Sequence, residues 1–256
     1  MAEARERAKA LEPKRIELER QAGGARSGRP FAASLRRGHV GVIAEVKRRS
    51  PSKGWINRDL SAEDQARDYE LGGAAAVSVL TEPLHFGGST DDLSAVLAAV
   101  ALPVLKKDFH VQPIQLVEAR ALGASAALII ARALAPDLLR TMVDAGRDLG
   151  LELLVEVRDE DELDRSLEAG ASIIGINNRN LETLVIEAGT AERLLGRVPA
   201  NVVAIAESGV SGRADVERVA TCGADAVLVG SSISAASDPV SAVRALATVP
   251  RAGRDR

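Results

Sequence analysis

The sequence predicts an α/β protein, a closed (β/α)8 barrel preceded by an N-terminal helical extension. Eight short, nearly continuous apolar runs recur along the 256 residues, as expected of parallel strands that are buried on both faces. Helix-like segments separate most of these runs, which is typical of βα units. The count of eight and the lack of G-x-G-x-x-G after the first run favour a closed barrel over an open doubly wound sheet.

The predicted strands are short and rich in β-branched residues. In chain order they are Gly41–Val46, Ala75–Leu80, Pro103–Leu105, Ala126–Ile130, Glu152–Val157, Ser172–Ile176, Val202–Ala206 and Ala226–Val229.

The predicted helices begin at capping or turn residues and end at glycines that precede the next strand. The starts are marked by Ser61, Ser89, Pro136, Asp159 and Ser211, and the ends by Gly72, Gly123, Gly170 and Gly223.

Residues 1–38 precede the first strand and form the predicted extension, while residues 39–256 form the barrel of a single overall domain. The extension reads as a charged helix over about residues 2–20, a Gly/Ser-rich link at Gly23–Gly28, and a short helix around Phe31–Arg37. Two interpretations are open for the first helix, a solvated extension or a wall over one barrel mouth.

Composition excludes several classes of protein. Lys and Arg number 33 and Asp and Glu number 36, a net charge of −3, which argues against a basic nucleic-acid module. The single Cys222 excludes a disulfide framework and a multi-thiolate metal site. The charged N-terminus lacks the apolar segment of a secretory signal, and no apolar run reaches the ~18 residues of a membrane helix. We therefore expect a cytoplasmic monomer that binds neither nucleic acid nor membrane.

Charged residues lie at the carboxyl ends of several of the predicted strands. Active sites of such barrels lie at the carboxyl ends of the strands, where the sequence has Glu45, Lys47, Lys107, Glu156 and Glu207. Charges at these positions are expensive unless they are paired, and neighbouring carboxylates and ammonium groups tune acids and bases for proton transfer. A structural ion-pair network is the alternative interpretation.

Small residues follow the seventh and eighth strands, at Ser208–Gly209 and Gly230–Ser231. Backbone N–H groups at such turns bind phosphate, and barrels often place a phosphate after these two strands. Plain tight turns are the alternative interpretation.

Other residues carry weaker signals. His39 and the two other histidines, His85 and His110, lack ligand spacing, so we expect no metal ion. Trp55, Phe86 and Phe109 lie at the presumed catalytic face, where they are either packing residues or walls for an aromatic substrate. Cys222 reads as a small buried hydrophobic residue.

Seven phrases at barrel-compatible spacings resemble one enzyme family, indole-3-glycerol phosphate synthase of tryptophan biosynthesis. They are IAEVKRRSPSKG (Ile43–Gly54), VSVLTEPLHFGGS (Val77–Ser89), PVLKKDF (Pro103–Phe109), LLVEV (Leu153–Val157), IGINNRNLETL (Ile174–Leu184), IAESGV (Ile205–Val210) and VLVGSSI (Val227–Ile233).

The resemblance implies a TIM barrel and a lyase reaction without a cofactor. The substrate is a phosphorylated small molecule, 1-(2-carboxyphenylamino)-1-deoxyribulose 5-phosphate, whose ring closure with loss of CO2 and water leaves indole-3-glycerol phosphate. Such a reaction needs an acid at the ketose oxygen and an acid/base pair for the dehydration.

The resemblance also implies roles for individual residues. It makes Lys107 the general acid of ring closure, Glu156 the carboxylate acid/base, and Glu45 and Lys47 a pair that contacts substrate oxygens, with Glu207 an acid after the seventh strand. The remaining matched positions serve binding: Ser50, Asn177 and Arg179 near the anthranilate carboxylate and ribulose hydroxyls; Phe86, Phe109, Leu128 and Leu184 as apolar walls; and Ser208, Gly209, Gly230 and Ser231 as the phosphate cradle.

The third strand holds two adjacent lysines, of which alternation directs one inward. The resemblance selects Lys107 as the inward residue, so we expect Lys106 to point toward the helices or solvent. We also expect a modest net lowering of the pKa of Lys107, the balance of carboxylates against desolvation and Lys47.

Two alternatives remain at this point. One is a phosphoribosylanthranilate isomerase-like sugar-phosphate isomerase on the same fold, for which a Cys or Asp after the first strand is expected instead of Glu45-Val-Lys47. The other is a barrel that binds a phosphorylated metabolite without catalysis. The chain departs from the family at Trp55 and at Asn178, where a smaller residue is usual.

Overall fold

A computed structural model of the chain describes residues 1–25, 28–180 and 182–252. Eight parallel strands close into a barrel in sequential order, each paired with its neighbours along the chain and the first with the last. The predicted TIM barrel is confirmed. The strands are β1 (Gly41–Val46), β2 (Ala76–Leu80), β3 (Val104–Lys107), β4 (Ala126–Ile130), β5 (Glu152–Val157), β6 (Ile173–Asn177), β7 (Val203–Glu207) and β8 (Ala226–Val229).

Helices alternate with the strands and cover the outside of the barrel. They are α1 (Ala2–Leu11), α2 (Arg15–Gly24), α3 (Phe31–Leu35), α4 (Ala62–Leu71), α5 (Pro83–Phe86), α6 (Thr90–Ala99), α7 (Pro113–Ala121), α8 (Pro136–Asp148), α9 (Glu160–Glu168), α10 (Gly189–Leu195), α11 (Arg213–Thr221), α12 (Ser231–Ser234) and α13 (Pro239–Ala247). No helix in these described segments is long and apolar enough to cross a membrane.

Most of the predicted helix starts are correct. The side chains of Ser61, Ser89 and Asp159 each accept a hydrogen bond from the backbone three residues later, as N-cap residues do. Ser211 is not a cap, because α11 begins one residue later than predicted and the Ser211 hydroxyl donates to Asp215 instead.

The N-terminal extension is more broken than the sequence analysis predicts. Pro13 lies in a 3-10 turn that separates α1 from α2, since proline removes a backbone donor and crowds the preceding turn. Helix α2 continues to Gly24, into the predicted link at Gly23–Gly28, of which residues 26 and 27 lie outside the described part of the chain.

The core has two layers. Inward-facing residues of alternate strand positions, such as Ile43, Leu105 and Leu154, fill the barrel, while the intervening residues pack against the helices. Phe31 and Leu35 of α3 are fully buried and join the inner layer at the amino end of the strands. Helix α3 therefore closes the amino end of the barrel, and the polar strand ends lie at the other end.

Candidate active site

A cavity of about 440 Å³ opens at the carboxyl ends of the strands. Its lining includes most of the residues singled out from the sequence: Glu45, Lys47, Ser50, Phe86, Lys107, Phe109, Leu128, Glu156, Asn177, Arg179, Leu184, Ser208 and Ser231. Glu207, Gly209 and Gly230 lie outside this lining, and so does Trp55. Met1, Leu80 and Ile130 also line the cavity, although the sequence analysis did not select them.

Two lysines and two glutamates form one ion-pair cluster at the base of the cavity. Lys107 Nζ lies 3.1 Å from Glu207 Oε2 and 3.3 Å from Glu45 Oε2, and the other oxygen of Glu45 pairs with Lys47. Both carboxylates are almost fully buried, whereas each lysine side chain is about one-seventh exposed. The cluster is therefore shielded from bulk water but accessible to a molecule in the cavity.

Neighbouring carboxylates keep the Lys107 side chain protonated. Burial on its own lowers the pKa of an ammonium group, but attraction by Glu207, Glu45 and Glu156 outweighs burial and raises the pKa of Lys107. The prediction that the pKa of Lys107 is lowered is therefore wrong, because carboxylates from three strands surround this ammonium group. Burial likewise opposes ionisation of Glu45, but Lys47 and Lys107 hold the pKa of Glu45 below its usual range.

Glu156 is in a different environment. Burial and the negative charge of Glu207 raise the pKa of Glu156 to about 7, against the opposing effect of Lys107. The Asn177 side chain also acts to lower this pKa. Glu156 therefore exchanges its proton near neutral pH, while Glu45 of the same cavity stays ionised, a separation typical of acid/base sites.

The two lysines of β3 point in opposite directions, as alternation predicts. Lys107 faces the cavity, whereas Lys106 lies behind the sheet, with Nζ 3.0 Å from Glu118 of α7 and 3.4 Å from His110 Nε2. The predicted orientation of Lys106 toward the helices is confirmed.

Asp108 connects the lysine strand to the N-terminal extension. Its carboxylate accepts two hydrogen bonds from Arg7 of α1, one of them at 2.7 Å, and one from the Thr81 hydroxyl. Met1 lines the cavity itself, and Ala8 of α1 packs against Ile114 of α7. Of the two interpretations of the first helix, the structure supports the wall. Sequence reasoning missed Arg7 because 101 residues separate it from Asp108.

The turns after β7 and β8 place small residues at the carboxyl ends of these strands. Ser208 and Gly209 both have positive φ, 63° and 82°, and Asn178 Nδ2 donates to the Ser208 carbonyl at 3.0 Å. Gly230 caps the short α12, which begins at Ser231.

Two glycines make room for the ion-pair cluster. A Cβ on Gly230 would lie 2.5 Å from Glu45 Oε1 and 2.9 Å from Lys47 Nζ, and a Cβ on Gly175 would lie 2.0 Å from Glu207 Oε1. A side chain at either position would displace a charged group. Sequence reasoning selected Gly230 only as a phosphate turn and missed Gly175, which carries no sequence signal of its own.

The loop after β6 holds Arg179 in place. Asn177 Oδ1 accepts from the Arg179 backbone, and Arg179 Nη1 donates to the Leu184 carbonyl at 2.9 Å. Leu184 adopts a left-handed φ of 60°, which is rare for a bulky residue and frequent at functional sites. The loop thus directs a guanidinium group and an apolar side chain to the cavity.

Aromatic residues at the mouth fall into two groups. Phe86 and Phe109 line the cavity with ring centroids 6.4 Å apart, as a wall for an aromatic substrate would require. Trp55 instead lies in the loop after β1, near the guanidinium groups of Arg58 and Arg49 at 4.7 and 5.7 Å.

Within the part of the chain that the structure describes, one group of possible metal ligands lies at the rim. Ligand atoms of Glu3, Glu82 and His85 lie within 4.8 Å of one another. His85 Nε2 is 3.1 Å from Glu3, and the Glu82 carboxylate accepts from the backbone of Leu84 and His85. The sequence analysis missed this group because Glu3 is distant in the chain. All three side chains are hydrogen-bonded, so we assign them no ion, and the lack of a metal requirement stays a prediction.

An acid–base cluster at the carboxyl-end mouth of a (β/α)8 barrel defines an enzyme of this fold class that works by proton transfer. Comparison with known proteins identifies the family. The family model for indole-3-glycerol phosphate synthase matches residues 1–246. The chain belongs to the indole-3-glycerol phosphate synthase family.

Individual relatives agree with the family match. Indole-3-glycerol phosphate synthase 1 of Streptomyces coelicolor is 49% identical over 227 residues, which are 89% of this chain and 84% of that protein. Indole-3-glycerol phosphate synthase of Mycolicibacterium vanbaalenii is 48% identical over 232 residues, 91% of this chain and 85% of that protein.

A solved structure shows the same fold at low identity. The thiamine phosphate pyrophosphorylase from Pyrococcus furiosus has a TM-score of 0.60 and 16% identity, and it covers 83% of this chain and 95% of its own. The family match and the names of the relatives favour the synthase over the isomerase and the non-catalytic alternatives.

Proposed function

We propose that this chain closes the indole ring of 1-(2-carboxyphenylamino)-1-deoxyribulose 5-phosphate, with loss of CO2 and water, to give indole-3-glycerol phosphate. One observation carries the proposal: Lys107 points into the cavity while Glu207 and Glu45 hold its ammonium group at 3.1 and 3.3 Å.

Lys107 acts in ring closure. The ring carbon that bears the carboxylate attacks the ketose carbonyl carbon, and Lys107 gives a proton to the carbonyl oxygen as its negative charge develops. Its raised pKa keeps the proton available at neutral pH. Release of CO2 then returns the electron pair of the broken C–C bond to the ring, which restores aromaticity.

Glu156 and Lys47 act in the dehydration. The hydroxyl formed by ring closure leaves as water after it takes a proton, and a second proton leaves the five-membered ring. A carboxyl group with a pKa of about 7 suits both directions of transfer, since it holds and releases a proton near neutral pH. Lys47, which is paired with Glu45, contacts the substrate oxygens and shares in these transfers.

The two anionic ends of the substrate bind at different groups. The phosphate binds the backbone N–H groups of Ser208–Gly209 and Gly230–Ser231. Arg179, with Ser50 and Asn177, binds the anthranilate carboxylate and the ribulose hydroxyls, because a guanidinium fork suits a carboxylate. Phe86, Phe109, Leu128 and Leu184 enclose the aromatic ring, and their place in the cavity lining supports this assignment.

We further propose that the enzyme acts as a monomer in the cytoplasm and needs neither metal ion nor organic cofactor. The paired lysines and glutamates supply the acid and base groups for every proton transfer above. Dialysis against EDTA should leave turnover unchanged, and activity restored only by a divalent ion would overturn this part of the proposal.

The direct test measures turnover of the carboxyphenylamino ribulose phosphate by absorbance of the indole product, with CO2 release as the second readout. Wild-type protein should form both in equal amounts. Phosphoribosylanthranilate, the substrate of the isomerase alternative, should not be consumed. Saturable binding of the first substrate without product would favour the non-catalytic alternative.

A further inference from the structure

Two hydroxyl groups contact the backbone of Glu45 from behind the sheet. Tyr69 Oη lies 3.2 Å and Ser234 Oγ 3.0 Å from the Glu45 carbonyl oxygen, and the two hydroxyls are 3.0 Å apart. Each hydroxyl has one proton to donate. If both protons are used within this triangle, the Glu45 carbonyl accepts at least one of them.

The position of Glu45 explains why its carbonyl needs these donors. The ladder between β1 and β8 ends at the pair Ala44–Val229, so Glu45 lies one residue beyond it on that side. Tyr69 of α4 is fully buried and Ser234 of α12 is nearly so. Burying these hydroxyls is costly unless they are hydrogen-bonded, and a phenylalanine or an alanine would avoid that cost.

Helix α12 contacts both ends of Glu45. Ser234, its last residue, bonds the carbonyl, while Gly230, its N-cap, lies against the carboxylate, close enough that a Cβ would be 2.5 Å from Oε1. That same carboxylate pairs with Lys47 and Lys107. The turn after β8 and the ion-pair cluster therefore meet at one residue.

We propose that Tyr69 and Ser234 are positioning residues of this enzyme, which fix the backbone of Glu45 so that its carboxylate holds Lys47 and Lys107 in place for proton transfer. This inference rests on the proposed function. Neither residue lines the cavity, so both act through Glu45 and not on the substrate.

The test compares Tyr69→Phe and Ser234→Ala with a matched control, Ser166→Ala. Ser166 is also a buried helical serine whose hydroxyl donates to a backbone carbonyl, that of Glu162, but on α9. All three variants should lose similar stability, measured by thermal unfolding. Tyr69→Phe and Ser234→Ala should lower kcat by about tenfold with KM within about twofold, since small displacements of catalytic groups are costly. Ser166→Ala should keep the wild-type kcat.

A double-mutant cycle with Glu45→Gln shows whether the hydroxyls act through Glu45. In the Glu45→Gln background, adding Tyr69→Phe should lower kcat no further, because the group that it positions is already gone. An undiminished loss in that background, or a kcat no lower than that of Ser166→Ala, would overturn the inference.

A readout independent of turnover separates this inference from the proposed function. Absence of wild-type turnover would refute the function alone. The carboxyl titration of Glu45, followed by carbon NMR, would then decide the positioning role. Displacement from Lys47 and Lys107 should raise the pKa of Glu45 in Tyr69→Phe and Ser234→Ala but not in Ser166→Ala, and identical titrations would refute the role.

Discussion

Replacing Lys107 with methionine removes the ammonium proton but keeps most of the apolar stem of the side chain. Loss of one positioned general acid lowers kcat by a factor on the order of 10² to 10⁴, or about 3 to 5 kcal/mol of transition-state free energy. We expect a loss in this range, because Lys107 Nζ is held by two carboxylates at 3.1 and 3.3 Å and no neighbouring acid has the same position.

Lys106→Met is the matched control for this variant. Lys106 is the adjacent residue, carries the same charge, and also pairs with a glutamate, with Nζ 3.0 Å from Glu118. Each substitution leaves a carboxylate without a partner, which costs roughly 1 to 3 kcal/mol or more of folding free energy. Both variants should therefore be less stable by comparable amounts, but Lys106→Met should keep kcat within about threefold, because it removes no acid from the cavity.

The assay is turnover at saturating substrate, with circular dichroism and thermal unfolding to establish that both variants are folded. An inactive Lys106→Met protein beside an active Lys107→Met protein would refute the orientation of β3 and the acid assignment that depends on it. Equal losses in both variants would show that stability, not acid chemistry, controls the rate.

Three further predictions concern other parts of the site. Glu156→Gln should lose the rate dependence on a group of pKa about 7. It should also gain stability relative to wild type as pH rises from about 4.5 to 7, because over that range the unfolded wild-type chain releases the Glu156 proton while the folded protein still holds it. The wild type should thereby lose about 3 kcal/mol of unfolding free energy, measured by chemical-denaturation curves. Gly230→Ala should lower kcat as well as raise KM in steady-state kinetics, since the added Cβ would lie 2.5 Å from Glu45 Oε1. An effect on KM alone would show that the added methyl group does not displace the Glu45 carboxylate. Arg7→Met should lower kcat/KM by about tenfold, because Asp108 loses the contact that holds the lysine strand to α1, whereas wild-type kinetics would show that α1 does not influence the cavity.

The sequence predicts the architecture of this protein well, for a physical reason. Parallel strands buried on both faces must be continuously apolar, so Gly41–Val46 and the other runs are recognisable without tertiary information. A charged residue at the carboxyl end of such a run has few structural explanations, and hence Glu45 and Glu156 are predictable site residues. Alternation within β3 then separates Lys107 from Lys106.

The sequence does not predict contacts between distant segments or their electrostatic consequences. Arg7 contacts Asp108 because α1 packs on α7 in the folded chain, and no local sequence pattern predicts that contact. The direction of the Lys107 pKa shift depends on how many carboxylates surround one ammonium group, which requires coordinates. The role of Gly175 can be recognised only in the structure, where the Glu207 carboxylate occupies the space that a side chain at position 175 would fill.

The location of Trp55 makes intrinsic tryptophan fluorescence a local probe of this protein. Trp55 is the single tryptophan of the chain. Its ring packs against Gly87 of the neighbouring loop, where a Cβ added to the glycine would lie 3.2 Å from the ring. Two guanidinium groups, those of Arg49 and Arg58, also lie near the ring. Indole emission is sensitive to such contacts, so the fluorescence of the unlabelled protein reports one place, the junction of the loops after β1 and β2. Stopped-flow mixing of the Lys107→Met variant with substrate, in which almost no indole product should form, therefore tests whether binding changes that junction.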